Sequence, residues 1–278
     1  MKYSTNNFED LIGECSIKYA DTPKSDKLYM HVHDAYEVTL ILSDDVELII
    51  NDTSYPVPFG SLLIFNTMDT HQIKYNGTTS YRRYVAWFKK DFLLGLDTLS
   101  YRLLRCFFLR GFEKENLLTL TDDQLHIATT LYAKLKEISD GESFMKEDRF
   151  KLTLAELLIY VNEWYLNKNA TKLPLNSKDH TAVYKAILYI QENFAMNINR
   201  QTLATITGLT ERTLCDLFKG VTGMTTNQYI LTFRLSVAKS LLLKDIQAAA
   251  VAEKTGFDNY SNFSRTFKKH TGLSPSKF

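Results

Sequence analysis

No run of apolar residues in the 278-residue chain approaches the length of a membrane span. The opening MKYSTNNFEDLIGE is polar and acidic, where a signal peptide would have a basic start and an apolar core. Cysteine is scarce: Cys15, Cys106 and Cys215 are odd in number and far apart, with no Cys-x-x-Cys spacing. This argues against a disulfide framework and gives no support to zinc or dithiol chemistry; reduced thiols in a cytoplasmic protein are the expectation. Net charge is also nearly missing, at +1, yet it is unevenly placed. Residues 178-278 carry 13 Lys and Arg against 7 Asp and Glu, or +6, which leaves 20 against 25, or −5, for residues 1-177. A basic C-terminal part on an acidic N-terminal part is the asymmetry of a chain in which one domain meets phosphates. The 45% hydrophobic and 23% charged content is that of a soluble globular protein, long enough for two cores.

The organising stretch is the C-terminal GFDNYSNFSRTFKKHTGLSPSKF. Val251-Ala252, a turn glycine at Gly256, Phe257, an Asp258 able to cap a helix, and Phe263 and Phe267 at i, i+4 describe a helix-turn-helix. Its second helix would expose Asn259, Tyr260, Ser261, Asn262, Arg265, Lys268 and Lys269, a face of hydrogen-bond donors and positive charge that suits a DNA groove. A solvated face of an ordinary helical hairpin stands as the alternative. The same pattern recurs upstream. Leu203-Ala204, Gly208-Leu209, Leu214, Phe218-Lys219 and Gly223 match Val251-Ala252, Gly256-Phe257, Phe263, Phe267-Lys268 and Gly272, with one residue added after the glycine of the second copy. Between the copies, Thr225 to Leu243 has helical spacing. Nineteen residues span roughly 28 Å as a helix, close to the roughly 34 Å turn of B-DNA, so one rigid helix could set two recognition helices into successive major-groove turns.

These residues resemble the DNA-binding domain of AraC/XylS-type transcription regulators. The resemblance covers residues 198-278 and rests on the first helix-turn-helix, on Arg234 and Ala238 in the joining helix, and on a signature close to GFxDxSxFSRxFKKxxGxSPSxY. Two positions depart from it. Ala248-Ala249-Ala250-Val251-Ala252 stands where the family has Ile-x-Glu-Ile-Ala, and Asp216 stands where the first recognition helix often carries a basic residue. By position in the motif, Arg212, Asn259, Tyr260, Ser261 and Arg265 are candidates for base edges and Thr210, Lys268 and Lys269 for phosphates. Thr213 and Asp216 complete the candidate DNA-facing set.

The N-terminal third reads differently. Residues 36-42, 46-50, 61-65 and 83-88 are short β-branched and aromatic runs, punctuated by Asp44-Asp45, Asn51-Asp52-Thr53, Pro56 to Gly60, Met68-Asp69 and Asn76-Gly77. They predict a β-sandwich or small barrel over residues 1-90. Leu93 to Phe108, Asp122 to Ile138 and Glu147 to Leu166 then show helical spacing, with a start signal at Thr121-Asp122-Asp123. Residues 91-168 therefore form a helical region packing on the barrel, 169-177 a polar linker and 178-278 the tandem helix-turn-helix domain. The fold class is α+β: an N-terminal barrel with appended helices and an all-α C-terminal domain.

His31-x-His33, Glu37, Gly60 and His71 resemble the cupin pattern, and the text around them resembles the cupin sensor arm of AraC-type regulators. Ser43 and Gly60-Ser61 depart from it. The resemblance implies a small organic effector among His31, His33, Tyr36, Glu37, His71, Tyr81 and Trp87. Two other readings stand beside it: residues that simply bond to one another, or a metal held by His31, His33, Glu37 and His71. Tyr81-Arg82-Arg83-Tyr84 fits a barrel strand better than a nucleic-acid patch. The stripe Phe150, Leu154, Leu157, Leu158, Val161 and Tyr165 fits a core or a dimer seam.

The leading expectation is a bacterial, cytoplasmic, one-component transcription regulator, an activator working as a homodimer with double-stranded DNA and RNA polymerase, and with neither membrane attachment nor cofactor. A polar, sugar-like effector would act on it. Alternatives are a metal-dependent cupin enzyme and a regulator controlled by a protein partner.

Overall fold

The computed structural model describes residues 15-22, 31, 35-50, 53-67, 69-93, 102-108, 116-142, 144-168, 177-243 and 246-278. They divide into two compact units, one holding the elements from Cys15 to Lys168 and one those from Ser177 to Phe278.

In the first unit, β1 (Cys15–Thr22), β2 (Tyr36–Ile41), β5 (Ser61–Phe65), β7 (Tyr81–Phe88) and β8 (Leu117–Thr119) make one sheet in the order β1-β7-β2-β5-β8. The smaller sheet runs β4-β3-β6, from β4 (Thr53–Val57), β3 (Val46–Ile50) and β6 (His71–Tyr75). All pairings are antiparallel, and the two inner faces share one core containing Ile41, Leu63, Phe65 and Tyr81 from the first sheet and Val46, Leu48, Val57 and Ile73 from the second. The four expected strands are present. β1, β4, β6 and β8 are additional. Pro56 reads as a turn residue, but β4 is a sheet edge in the described structure, where a missing backbone N–H removes no ladder bond.

Helices cover the outer face of the larger sheet. The helix expected over 93-108 is, among the described residues, a 3-10 turn at Lys90–Leu93 and a short α1 (Arg105–Phe108). α2 (Asp122–Asp140) starts at Thr121, whose hydroxyl accepts the Gln124 N–H while the Gln124 side chain accepts the Thr121 N–H, a reciprocal cap. It docks through Tyr132, whose buried hydroxyl donates to the Val38 carbonyl at 2.7 Å and whose ring stacks on Tyr84. On α3 (Lys146–Lys168) the stripe Phe150, Leu154, Leu157, Leu158, Val161 and Tyr165 is buried within the chain itself, which resolves its two readings toward core. Leu152 and Ile159 lie on the outer side of α3, 61% and 47% exposed.

The second unit is helical: α4 (Ser177–Asn193), α5 (Arg200–Thr207), α6 (Glu211–Thr222), α7 (Thr226–Leu243), α8 (Ala248–Lys254), α9 (Tyr260–Thr271) and a final 3-10 turn, Pro275–Lys277. α7 is the expected joining helix. The sequence repeat is also a hydrogen-bond repeat. The Leu209 N–H reaches the Ala204 carbonyl as the Phe257 N–H reaches that of Ala252. The Thr207 hydroxyl donates to Leu203 as that of Thr255 does to Val251. Thr222 and Thr271 each bridge back to a phenylalanine carbonyl and forward two residues, to Met224 and Leu273.

The extra residue of the second copy is Asp258, which lies in the turn and not in the helix. Asp258 is therefore not the cap. Asn259 is: its side-chain oxygen accepts the Asn262 N–H at 2.8 Å, as Thr210 accepts that of Thr213 in the first unit. Phe263 and Phe267 are fully buried with Leu235, Ala238, Val251 and Ala252, and Ala248 packs at the edge of that core. Burying such rings contributes on the order of 2 kcal/mol each or more, which fixes α9 against α7 and α8.

Candidate nucleic-acid interface and polar cluster

Burial of Phe263 and Phe267 leaves the other side of α9 to solvent. Tyr260, Ser261, Ser264, Arg265, Lys268 and Lys269 line one shallow surface depression, at the i, i+1, i+4, i+5 spacing of a single helical face. Ser264 is absent from the sequence reading although its position, midway between Tyr260 and Lys268, belongs to the same face. The Tyr260 ring is 42% exposed and projects beside the cap. Asn259 is exposed, but its oxygen is committed to capping, which leaves its amide N–H groups to contact a ligand.

On α6, Arg212, Thr213, Asp216 and Lys219 are exposed while Leu214 and Phe218 are buried. The Thr210 and Thr213 hydroxyls bond to each other at 2.8 Å. Glu211 and Asp216 balance Arg212 and Lys219, so α6 is neutral, whereas α9 carries Arg265, Lys268 and Lys269 and no acid. The ten candidate DNA-facing residues are all exposed, split between two helices of unequal charge. The pair of faces suits a duplex, with α9 supplying the stronger attraction for phosphate.

The N-terminal candidates do not all meet. Strand alternation sends Glu37 and Thr39 inward, and Tyr36 outward against Phe88 and Phe107. Tyr36 therefore leaves the set. Glu37 sits opposite Trp87 and Phe65 in the ladders. Its carboxylate, 3% exposed, accepts the Thr39 hydroxyl at 2.6 Å and the Trp87 indole N–H at 2.7 Å. His31 and His71 exchange both backbone hydrogen bonds and tilt ring to ring at 4.4 Å. His71 also stacks on Phe65 at 3.6 Å, and its Nδ1 lies 3.1 Å from the Asp69 carbonyl. An N–H there would leave Nε2 as the acceptor.

His31, Glu37 and His71 each offer a ligand atom within 4.8 Å of the others. Such a group can hold a cation, a proton or the hydroxyls of a ligand. Tyr81 shares the inward face of β7 with Trp87 but lies six residues away, about 20 Å along a strand. There it stacks on Tyr75 and receives the Arg83 guanidinium 4.2 Å from its ring centre. Burial pushes the Tyr81 phenol above its usual pKa, with Arg83 opposing and the Glu37 charge adding to the rise. The Tyr81 backbone thus sits at the far end of β7 from Trp87 while its buried phenol feels the Glu37 carboxylate, and His33 lies outside the described residues. Thr39 is the member the sequence reading missed; two-residue periodicity from Glu37 identifies it.

Known proteins place both units. Residues 203–278 match the family model described as a helix-turn-helix domain. The chain is 35% identical over 100 residues to an uncharacterized HTH-type transcriptional regulator of Pseudoalteromonas carrageenovora, covering 36% of this chain and 60% of that protein's length. It is 30% identical over 114 residues, 38% of this chain and 84% of the relative, to the HTH-type transcriptional activator AarP of Providencia stuartii. Over 266 residues, 89% of this chain and 82% of the relative, it is 23% identical to the melibiose operon regulatory protein of Escherichia coli. Among solved structures, ToxT of Vibrio cholerae with an unsaturated fatty acid bound superposes with a TM-score of 0.54 at 17% identity, over 95% of this chain and 94% of that one, a likeness of fold. The helix-turn-helix region is thus shared with transcription regulators, and the chain belongs to the AraC/XylS family of DNA-binding transcription regulators.

Proposed function

We propose that this regulator answers to a small polar effector, sugar-like in chemistry, bound at the end of the β unit where His31, Glu37, Thr39, His71 and Trp87 meet. The carrying observation is the Glu37 carboxylate, buried and gripped by two neutral donors. Buried polar groups are costly unless paired, and such groups beside the half-buried face of Trp87 suit the alternating hydroxyl and C–H surface of a saccharide. The melibiose regulator, alike over most of its length, is named for a sugar operon. Effector binding acts on DNA occupancy only through its differential affinity for two states of the protein. In this reading residues 1-90 sense, 91-168 self-associate through the outer side of α3 with Leu152 and Ile159, and 178-278 engage the operator and RNA polymerase in the bacterial cytoplasm.

Calorimetric titration of the full-length protein against a panel of mono- and disaccharides and fatty acids, with DNA affinity measured in parallel, tests the proposal. One saccharide should bind and shift DNA affinity by roughly 5- to 150-fold. Trp87→Phe, which keeps an aromatic ring but removes the indole donor that holds the Glu37 carboxylate in place, should weaken that saccharide by about tenfold because Glu37 is no longer positioned. Saccharides that leave DNA affinity unchanged, or a fatty acid that alone shifts it, contradict the sugar reading.

A further inference from the structure

Three segments distant in sequence converge at one turn of the C-terminal unit. Phe194, Ala195 and Met196 follow α4 and precede the first helix-turn-helix. Arg234, midway along α7, forks onto this turn: its Nε–H donates to the Phe194 carbonyl at 2.7 Å and an Nη2–H to the Met196 carbonyl at 2.8 Å. A guanidinium holds two such acceptors in a fixed geometry that a lysine cannot reproduce. The Phe194 and Phe233 rings meet edge to face at 5.3 Å beside it. From the other side comes the turn of the second helix-turn-helix. A Cβ on Gly256 would lie 2.4 Å from the Ala195 carbonyl oxygen, so the two backbones are in direct contact. Ala195, Gly256, Phe257, Asp258 and Asn259 line one groove. Burial lowers the Arg234 pKa, and the Asp258 carboxylate opposes that shift. Asp258 is the residue the first unit lacks.

We propose that Arg234, Gly256 and Asp258 form a joint that sets the relative orientation of the two recognition helices, and with it the half-site spacing the domain accepts on DNA. α7 alone fixes a distance. Rotation of the second unit about that helix is limited by the joint, because Arg234 ties α7 to the entry turn of the first unit through the Phe194 and Met196 carbonyls and Gly256 seats the turn of the second unit on Ala195 of the same turn. Arg234 is a positioning residue: it is tied to main-chain carbonyls and acts on DNA through the helices it orients. The proposal rests on both units engaging one duplex, where two linked contacts strengthen binding only when geometry allows them together.

The test uses the full-length protein and duplexes recovered by selection from a random-sequence pool, each remade with one base pair inserted or removed between its two half-sites. Wild type should lose roughly tenfold or more in affinity on either change, since one base pair also rotates the second half-site about the duplex axis. Arg234→Lys and Arg234→Gln should reduce that penalty to about threefold or less, while retaining wild-type helical circular dichroism. Asp258→Asn, at an exposed position, should relax it in the same direction by less. A full spacing penalty kept by the folded variants overturns the joint, because a residue that only stabilised the fold would alter overall affinity and leave spacing preference intact. A wild-type protein indifferent to spacing instead overturns the two-unit reading beneath it.

Discussion

DNA affinity of the full-length protein should fall roughly 40-fold between about 50 and 200 mM monovalent salt, the drop expected when about three phosphate contacts each release condensed counterions. The three cations are Lys219 on α6 and Lys268 and Lys269 on α9, all exposed, while Arg212 and Arg265 are placed for base edges. Their contributions differ in kind. Lys269→Ala should weaken binding to every sequence alike and lower the magnitude of the log–log salt slope by about one. Arg265→Ala, at a position suited to a base edge, should cost on the order of 1 to 3 kcal/mol and blur preference at one base pair. Salt titrations of both variants against a selected and a scrambled duplex decide the matter; equal, sequence-independent losses contradict the division. Asp216 adds a local sign. Asp216→Asn removes an acid from the neutral face of α6 and should strengthen binding at low salt.

The second large effect is on stability. Gly256→Ala should destabilise the C-terminal unit by about 2 to 5 kcal/mol, combining left-handed backbone strain of about 1 to 2 with overpacking of about 1 to 3. Gly256 has φ of 72° and its missing Cβ would meet the backbone of Ala195, which cannot swing aside as a side-chain tip can. Gly208, the matching residue of the first unit, has φ of 71° and open space around it. Gly208→Ala should therefore cost only the backbone strain, about 1 to 2 kcal/mol. Urea titrations of the two variants provide the comparison, and equal losses would show that the close approach of the two backbones contributes nothing.

The two halves were unequally legible. In the C-terminal unit, turn glycines, paired phenylalanines and a repeated spacing all act within a dozen residues, so local chemistry specifies the helix-turn-helix and the structure repeats even its threonine hydrogen bonds. What escaped was a one-residue choice between caps. Asp258 and Asn259 are both good cap residues, and only the backbone path shows that Asp258 occupies the turn while Asn259 holds the N–H of Asn262. In the β unit the relevant contacts are non-local. Adjacent in sequence, Tyr36 and Glu37 look alike as pocket residues, yet the pleat places them on opposite faces. Tyr81 and Trp87 share a face but stand at opposite ends of one strand, a distinction that depends on register against β2 and β1. Pro56 misled for a related reason, since its tolerance in β4 depends on that strand lying at an edge.

The central claim is that α6 and α9, on either side of α7, enter successive major grooves on one side of a duplex. Hydroxyl-radical footprinting of the full-length protein on a selected duplex measures this directly. The account predicts, for each bound chain, two protected patches about one helical turn, roughly 10 base pairs, apart on the same face of the DNA. A single patch per chain, or two patches displaced by about half a turn onto opposite faces, would contradict it.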